Sequence, residues 1–364
     1  MNDDLFKPTG KLRKGWTTGA CATAAAKAAA QALLQGHFES NVTIRLPGGE
    51  QPTFSLSRHS LENGIASAGI IKDAGDDPDV THGAEIIVTL ALAPEGQGLT
   101  FRAGDGVGTV TLPGLPVEVG KPAINPAPRK MISETLEAVA GSFDKPVGFD
   151  ITIAIPGGQA LAEKTMNGRL GIKGGLSILG TTGIVRPYSC SAWIHSIHSG
   201  IDVARATGLN HIAATTGSTS ETAVRKLYNL SDSALIDMGD FAGGVLKYLR
   251  HHPVKKLTLA GGFGKLTKLA QGNMDLHSAR SRLDIGKLAS CLDELGADKG
   301  AVSQAKESVT AMAILDLAKA TNIPLADLIA GRARDVALKA VDGGVEIEVC
   351  IFDRQGELVG RANG

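Results

Sequence analysis

The fold class follows from residues 211–221, which read HIAATTGSTSE. The first five residues form an apolar run typical of a buried strand. The next five form a turn rich in glycine and hydroxyl groups, and Glu221 begins a helical pattern. The same order recurs twice, with strands at 234–238 and 256–260, loops at 239–240 and 261–264, and helices at 241–250 and 265–271. Because these connections are long enough to join parallel strands, they predict a doubly wound, mostly parallel α/β domain.

The amino-terminal part has a different pattern, in which strands and helices are mixed. Strands are predicted at 41–46, 85–92 and 109–111, and helices at 21–34 and 128–141. One of the threonines Thr17 and Thr18 is expected to cap the first helix, and Gly36 to end it. We therefore expect two domains, an α+β domain at 1–145 and the α/β domain at 146–300, whose first strand is predicted at 150–155. Residues 301–364 are expected to form helices and a closing hairpin that pack on the preceding domains.

Composition limits the functional classes. The 364 residues include 37 acidic and 37 basic side chains, so there is no global field to recruit nucleic acid or an anionic membrane. The four cysteines lie far apart without a CxxC pair, which favours a reduced, cytoplasmic protein. Residues 1–12 lack an apolar export segment, and no run of about 18 apolar residues predicts a membrane span. A homodimer is compatible with the sequence, which leaves the oligomeric state open.

Residues 72–83, here called the acidic loop, read KDAGDDPDVTHG. Four carboxylates crowd a segment that Pro78 prevents from forming a regular helix or strand. Such a loop either binds a ligand or is a solvated acidic turn. We expect its acids to orient substrate or cofactor, because their spacing does not match a calcium-binding loop.

Seven segments, taken together, resemble the CbiD family of cobalt-precorrin-5B C1-methyltransferases over nearly the whole chain. They are LRKGWTTG at 12–19, KDAGDDPDVT at 72–81, the stretch from GDGVG to INP at 104–126, GIKGGLSILGTTG at 171–183, PYSCS at 187–191, TGSTSE at 216–221 and GGFGKLTK at 261–268. The resemblance implies transfer of a methyl group from S-adenosylmethionine to C1 of cobalt-precorrin-5B, which gives cobalt-precorrin-6A. Methyl transfer from a sulfonium needs alignment more than acid–base chemistry.

The loops that follow the predicted parallel strands are the candidate site for the methyl donor. Thr216, Gly217, Ser218 and Thr219 precede a helix, where free N–H groups can receive the donor's carboxylate, although Ser218 or Thr219 could simply cap that helix. The other candidates are Asp237 and Asp240 for the ribose hydroxyls, and Gly261 and Gly262 for close backbone approach. Gly261–Gly264 could instead be a plain tight turn, and the spacing is not that of a nucleotide P-loop.

The macrocycle carries many carboxylates, so its site should contain cations and polar groups. The candidate substrate-binding residues are Thr17, Thr18, Asp73, Asp77, Arg129, Lys164, Arg169, Lys173 and Lys265. His195 and Asp76 are the candidate catalytic residues. His195 and His198 are three residues apart on a predicted helix and titrate in a suitable range, but they could equally be structural. No metal site is predicted, because the histidine pair lacks a third ligand.

Two rivals remain at this level. One is another transformation of the macrocycle without S-adenosylmethionine, which no nucleophile motif supports. The other is a carrier that binds the tetrapyrrole without catalysis and has no affinity for the methyl donor.

Overall fold

The computed structural model describes residues 10, 12–94, 96–143 and 148–363. The chain forms two compact units, residues 1–189 and 190–364. The boundary predicted at 145/146 lies outside the described residues, as does most of the amino-terminal segment expected to lack an export signal. The units divide at Ser189/Cys190 instead, because the strand expected to open the second domain pairs within the first unit's sheet. No helix among the described residues is long and apolar enough to cross a membrane.

The first unit is an α+β structure. Its elements are β1 (Gly15–Trp16), α1 (Thr18–Gln35), β2 (Asn41–Thr43), β3 (Thr53–Ser55), β4 (Arg58–Glu62), β5 (Ile65–Ile71), β6 (Glu85–Leu92), β7 (Leu99–Ala103), β8 (Thr109–Val110), α2 (Pro126–Ser142), β9 (Phe149–Ala154), α3 (Gly158–Ala162), β10 (Ile172–Lys173) and β11 (Ile184–Val185). The main sheet has the order β4-β5-β6-β9-β7, antiparallel except between β9 and β7.

Helix α1 is the core of this unit. The Thr17 hydroxyl accepts from Ala20 N at 3.2 Å, and Gly36 ends the helix in the left-handed region at φ +87°. Both ends confirm the sequence expectation. The helix packs on β5 and β6 and against α2, and most of its alanines are fully buried. Alanine has high helix propensity and a small side chain, so the same residues form the helix and allow close packing.

The second unit is an α/β structure, as predicted. Its elements are α4 (Cys190–Ala206), β12 (His211–Thr215), α5 (Ser218–Tyr228), β13 (Leu235–Asp237), α6 (Ala242–Leu249), β14 (Lys256–Gly262), α7 (Phe263–Ala270), α8 (Ile285–Glu294), α9 (Lys299–Lys306), α10 (Ala311–Ala320), α11 (Leu325–Val341), β15 (Glu346–Phe352) and β16 (Leu358–Ala362). The sheet order is β13-β12-β14-β15-β16, and only β16 is antiparallel.

Both faces of this sheet are covered. Alternate strand residues such as Ala213 and Ala260 pack with Val224 of α5, whereas Ile212 and Leu257 join the larger core formed with the other helices. The carboxy-terminal segment belongs to this unit, since β15 is a strand within its sheet. From β12 the chain passes first to β13 on one side and then to β14 on the other. In sheets of this kind, ligands bind outside the carboxyl ends of the strands at such a reversal.

Candidate functional site

The residues predicted to bind the donor lie at one edge of the second unit's sheet. Thr215, the last residue of β12, is in register with Asp237 of β13 and Ala260 of β14. The loops that follow these strands therefore meet at the reversal point. The chain leaves β12 through Thr216–Gly217. Gly261 and Gly262, expected in a loop, are instead the last residues of β14, where they pair with Ile351 and Phe352 of β15, and α7 begins directly after them at Phe263.

Helix α5 starts at Ser218, three residues earlier than expected. Gly217 is therefore its N-cap, and within the described residues no side chain caps this end. Ser218 and Thr219 lie inside the first turn, so the capping role considered for them is wrong. Both are exposed. The first backbone N–H groups of a helix have no partner within the helix, so this end offers donors to an anion.

Lys265, expected to bind substrate, is placed among the donor-site residues. From α7 its ammonium donates to the Thr216 carbonyl at 2.9 Å and lies 3.0 Å from Asp240 Oδ1. The Asp240 carbonyl in turn accepts from Leu276 N at 2.8 Å. Lys265 thus ties together the loops that follow β12 and β13, and its side chain remains 40% exposed.

Thr215 is a polar residue of this edge that the sequence did not single out. Its carbonyl accepts from the backbone N–H groups of Met238 and Gly239 at 3.0 and 3.1 Å, which closes the turn after β13. Its hydroxyl is fully buried and has no hydrogen-bond partner among the described residues. An unsatisfied buried hydroxyl is costly and uncommon away from functional sites.

The two glycines at the end of β14 differ in their surroundings. A Cβ on Gly261 would lie 2.7 Å from the Thr216 hydroxyl, so this position must be glycine for packing alone. Gly262 is exposed, and a Cβ there would have open space around it. It also caps α7, again without a side-chain hydrogen bond among the described residues. A second uncapped helix end therefore faces the reversal point.

Trp193 of α4 borders the loop after β13. Its indole Nε1 donates to the Asp237 carbonyl at 3.0 Å. Gly239, at φ +52°, leaves room for the ring, because a Cβ there would lie 3.3 Å from Cζ2. Trp193 is not among the site residues that the sequence predicts. An aromatic residue in the first turns of the helix before a parallel strand was the available signal.

The acidic loop lies in the first unit, and the structure shows partners for each of its carboxylates. The Arg13 guanidinium pairs with Asp73, and the backbone N–H of Arg13 donates to Asp76 Oδ2 at 2.6 Å. The hydrogen bond from Arg13 lowers the pKa of Asp73 to about 2. A Cβ on Gly15 would lie 2.0 Å from the Ala74 backbone, so the two segments touch closely.

Lys72 organises the other end of the loop. Its side chain is 3% exposed, and its ammonium lies 2.5 Å from Asp79 Oδ2 and donates to the Thr81 hydroxyl. Asp79 also accepts from the Thr81 backbone N–H at 2.8 Å. Burial alone would raise the pKa of Asp79, but the charge and hydrogen bond of Lys72 lower it.

The remaining polar candidates near the acidic loop also have structural contacts. Asp77 accepts from the backbone N–H of Tyr188 at 2.8 Å, and Tyr188 is held at φ +55°. Thr17 and Thr18 are buried at the start of α1, where the Thr17 N–H donates to the Gly183 carbonyl at 2.9 Å. The structure therefore joins residues from four of the resemblance segments in one cluster.

The predicted cations of the first unit have different surroundings. The Arg129 guanidinium donates to the carbonyls of Ile124 and Pro122 at 2.8 and 3.2 Å, and burial lowers its pKa. Lys164 is exposed after α3, and Lys173 is exposed in β10. Arg169 is half-buried and has a partner. Lys164 and Lys173 are thus the exposed cations of this set.

The two candidate histidines of α4 have separate roles. His198 stacks on Tyr248 with 3.9 Å between ring centroids, and its Nε2 lies 3.2 Å from the Gly244 carbonyl. Burial lowers the pKa of His198. His195 is exposed. Two residues along a helix turn about 200°, so His195 points away from the face that carries Trp193. Across the described ranges, no three ligating side chains are grouped to hold a metal ion.

Comparisons with known proteins find relatives that cover 99% of this chain. The CbiD family model matches residues 6–187, and the model of the CbiD C-terminal domain matches residues 275–363. A cobalt-precorrin-5B C(1)-methyltransferase of Brucella abortus (strain S19) is 57% identical over 368 residues, covering 99% of this chain and 100% of the relative. The protein of the same name from Brucella anthropi is 54% identical with the same coverage. A 1.9 Å crystal structure of the cobalamin biosynthesis protein cbiD from Archaeoglobus fulgidus is 30% identical, covering 74% of this chain and 84% of that chain, with a TM-score of 0.40.

Proposed function

The chain belongs to the CbiD family, and from that premise we propose that it methylates C1 of cobalt-precorrin-5B, with S-adenosylmethionine as donor and cobalt-precorrin-6A as product. The observation that carries this function is the 57% identity, over 99% of this chain, to a relative named cobalt-precorrin-5B C(1)-methyltransferase. The protein is a methyltransferase. The choice of donor and the assignment of its site are the finer parts of the proposal.

The polar groups at the strand ends of the second unit are chemically suited to the carboxylate and the ribose of the donor. The N-terminus of α5 at Gly217–Thr219 receives the α-carboxylate through backbone N–H groups, as helix N-termini do for anions. Asp237 lies 20 residues after Gly217, the spacing at which an acid of dinucleotide folds accepts from a ribose hydroxyl. Lys265 and Asp240 hold the loops in place between these two contacts. Thr215 adds a buried hydroxyl to the same edge.

When bound, S-adenosylmethionine supplies a methyl group on a sulfonium that is displaced in line by a nucleophilic carbon. The chain's own contribution is to hold two ligands in alignment and to exclude water, since alignment can supply a large part of the rate enhancement. Glycines at 217 and 262 allow a ligand to approach the backbone closely. No strong acid or base is needed for the displacement itself.

The macrocycle's carboxylates are assigned to cations of the first unit. Lys164 and Lys173 serve this purpose because their ammonium groups are exposed. Arg129 and Arg169 contribute mainly by shaping the surrounding backbone, because their side chains are half-buried and have partners. The acidic-loop residues Asp73, Asp76 and Asp77 and the α1 threonines Thr17 and Thr18 support the shape of the substrate site through their own hydrogen bonds.

Any proton that leaves the macrocycle during methylation needs an acceptor. His195 fits this role better than His198, because it is exposed, whereas His198 is stacked and hydrogen-bonded. Asp76 is the second candidate, as it is exposed beside the Arg13 backbone.

The test is a calorimetric titration with S-adenosylmethionine, followed by anaerobic incubation with cobalt-precorrin-5B and mass spectrometry. We expect donor binding and a mass gain of one methylene unit. The same incubation with Lys164→Ala/Lys173→Ala should raise KM for the macrocycle without changing donor affinity. Macrocycle binding without donor binding or mass gain would instead identify a tetrapyrrole carrier and refute the proposed enzyme.

A further inference from the structure

Trp193 combines rigid anchoring with exposure. The residue is 45% exposed. One edge of the indole is fixed by the Nε1 hydrogen bond to Asp237 and by contact with Gly239. The Phe241 ring adds a tilted contact, with 6.3 Å between ring centroids. A fixed aromatic ring loses little further conformational freedom when it stacks on a ligand.

The position of the ring is equally informative. β13 is the edge strand of the sheet, and Trp193 contacts the chain where that strand ends. The backbone of Asp237 carries this anchor, and its side chain is the proposed ribose acceptor. A donor whose carboxylate is bound at α5 and whose ribose is bound at Asp237 extends its base past β13, towards the indole.

We propose that Trp193 is a binding residue that stacks on the purine base of the methyl donor. This inference rests on the proposed function for its ligand and adds a residue to the site. Aromatic stacking on a base requires only a flat π-system, so it suits the purine of the donor. The small residue Gly239 is part of the same feature, because a side chain there would meet the indole edge.

The direct test uses tryptophan fluorescence with adenosine as the probe. The chain has two tryptophans, Trp16 and Trp193, so W16F leaves Trp193 as the reporter and W193F leaves Trp16. We expect saturable quenching by adenosine in W16F and none in W193F. Absence of quenching in W16F, or equal quenching in W193F, overturns the proposal. This test does not depend on catalysis. The W16F variant keeps Trp193 intact, so its fluorescence reports on the native ring.

The second test measures affinity. W193L should weaken binding of S-adenosylmethionine about tenfold and raise its KM similarly, with KM for the macrocycle unchanged. L227A is the matched control, since Leu227 is 42% exposed and lies at the opposite end of α5 from the strand ends. Circular dichroism and thermal unfolding check that each variant folds. If W193L does not fold, the fluorescence test with W16F and W193F decides whether Trp193 contacts the base.

The outcomes separate this inference from the proposed function. A folded W193L that binds the donor as tightly as wild type overturns the role of Trp193 alone. A rise in KM only for the macrocycle means that the ring contacts the tetrapyrrole, and it overturns the purine assignment. If wild type fails to bind the donor while adenosine still quenches Trp193, the methyl-donor proposal fails and the purine-stacking site stands.

Discussion

The acidic loop of the first unit and the strand ends of the second unit are both dense in polar groups, but they differ in how those groups are satisfied. In the acidic loop, Asp73, Asp76, Asp77 and Asp79 each accept hydrogen bonds from nearby residues. At the strand ends, two helices begin without side-chain caps within the described residues, and the Thr215 hydroxyl is buried without a partner there.

On this difference we base the proposal that the strand ends bind a ligand and that the acidic loop is mainly structural. Polar density in a sequence is compatible with both, because it does not reveal whether a group's hydrogen-bonding capacity is already used. Satisfied groups fix the shape of a loop, whereas unsatisfied donors at helix ends are available to a ligand. We therefore expect substitutions in the acidic loop to act first on stability and substitutions at the strand ends to act first on donor affinity.

The largest expected effect is on stability, from Lys72→Met. Removal of this buried ammonium leaves Asp79 without its charged partner, which should lower the free energy of unfolding by about 3 kcal/mol. Urea unfolding measures the loss, and donor affinity should not change. The double variant Lys72→Met/Asp79→Asn serves as the control and should regain part of the stability. A Lys72→Met protein of normal stability would show that the ion pair does not hold the loop.

The next effect is on binding, from Asp237→Asn. Loss of a charged hydrogen bond to the donor should weaken its binding about tenfold. The matched control is Asp232→Asn, which changes a carboxylate just before the same strand, away from its carboxyl end. Calorimetry should find near wild-type affinity for the control. Equal affinities of the two variants would remove Asp237 from the donor site.

A smaller effect is expected from Thr17→Ala. Because the Thr17 hydroxyl caps α1, its loss should destabilise the protein by about 1 kcal/mol, and Thr17→Ser should restore most of it. Thermal unfolding measures both. If Thr17→Ala raises KM for the macrocycle while Thr17→Ser does not, the hydroxyl also contacts substrate. In that case a group of the first unit with a structural hydrogen bond would take part in ligand binding as well.

The smallest effect concerns acid stability. The folded-state pKa of Asp73 is about 2, below the ordinary value of 3.8. The pairing of Asp73 with Arg13 therefore stabilises the protein fully above pH 3.8. That contribution disappears as the pH falls from 3.8 towards 2. Because both side chains are well exposed, Asp73→Asn should cost less than about 1 kcal/mol at neutral pH. The free energy of unfolding in urea, measured at neutral pH and at about pH 3, should change less between the two pH values for Asp73→Asn than for wild type.

Much of the second unit could be predicted from sequence, because its signals are local. Strand β12 was predicted at its observed bounds, and the loops after three parallel strands were expected to meet. In the first unit two strands are not predicted, β4 with its mostly polar residues and β5 with its small and apolar ones. Their connection, Asn63-Gly64, has φ values of +51° and +76°. This dipeptide is a strong hairpin signal and could have revealed the pair.

Other features could not be predicted because they depend on residues far apart in the sequence. Arg13 and Asp73 are 60 positions apart, and nothing in either segment indicates that they pair. The same holds for Lys265, whose contact with Thr216 spans 49 positions. Charge alone predicts Lys265 as a macrocycle-binding residue, whereas only the fold shows its contacts with Thr216 and Asp240.

The late position of β15 in the chain has a consequence for protein synthesis. Strand β14 pairs along Lys256–Gly262 with β15, which emerges from the ribosome only after five further helices have been made. Until Glu346–Phe352 is translated, β14 has an unpaired edge rich in buried apolar residues, the type of surface that promotes aggregation. Nascent chains that stall between α11 and β15 therefore expose this edge to chaperones and proteases.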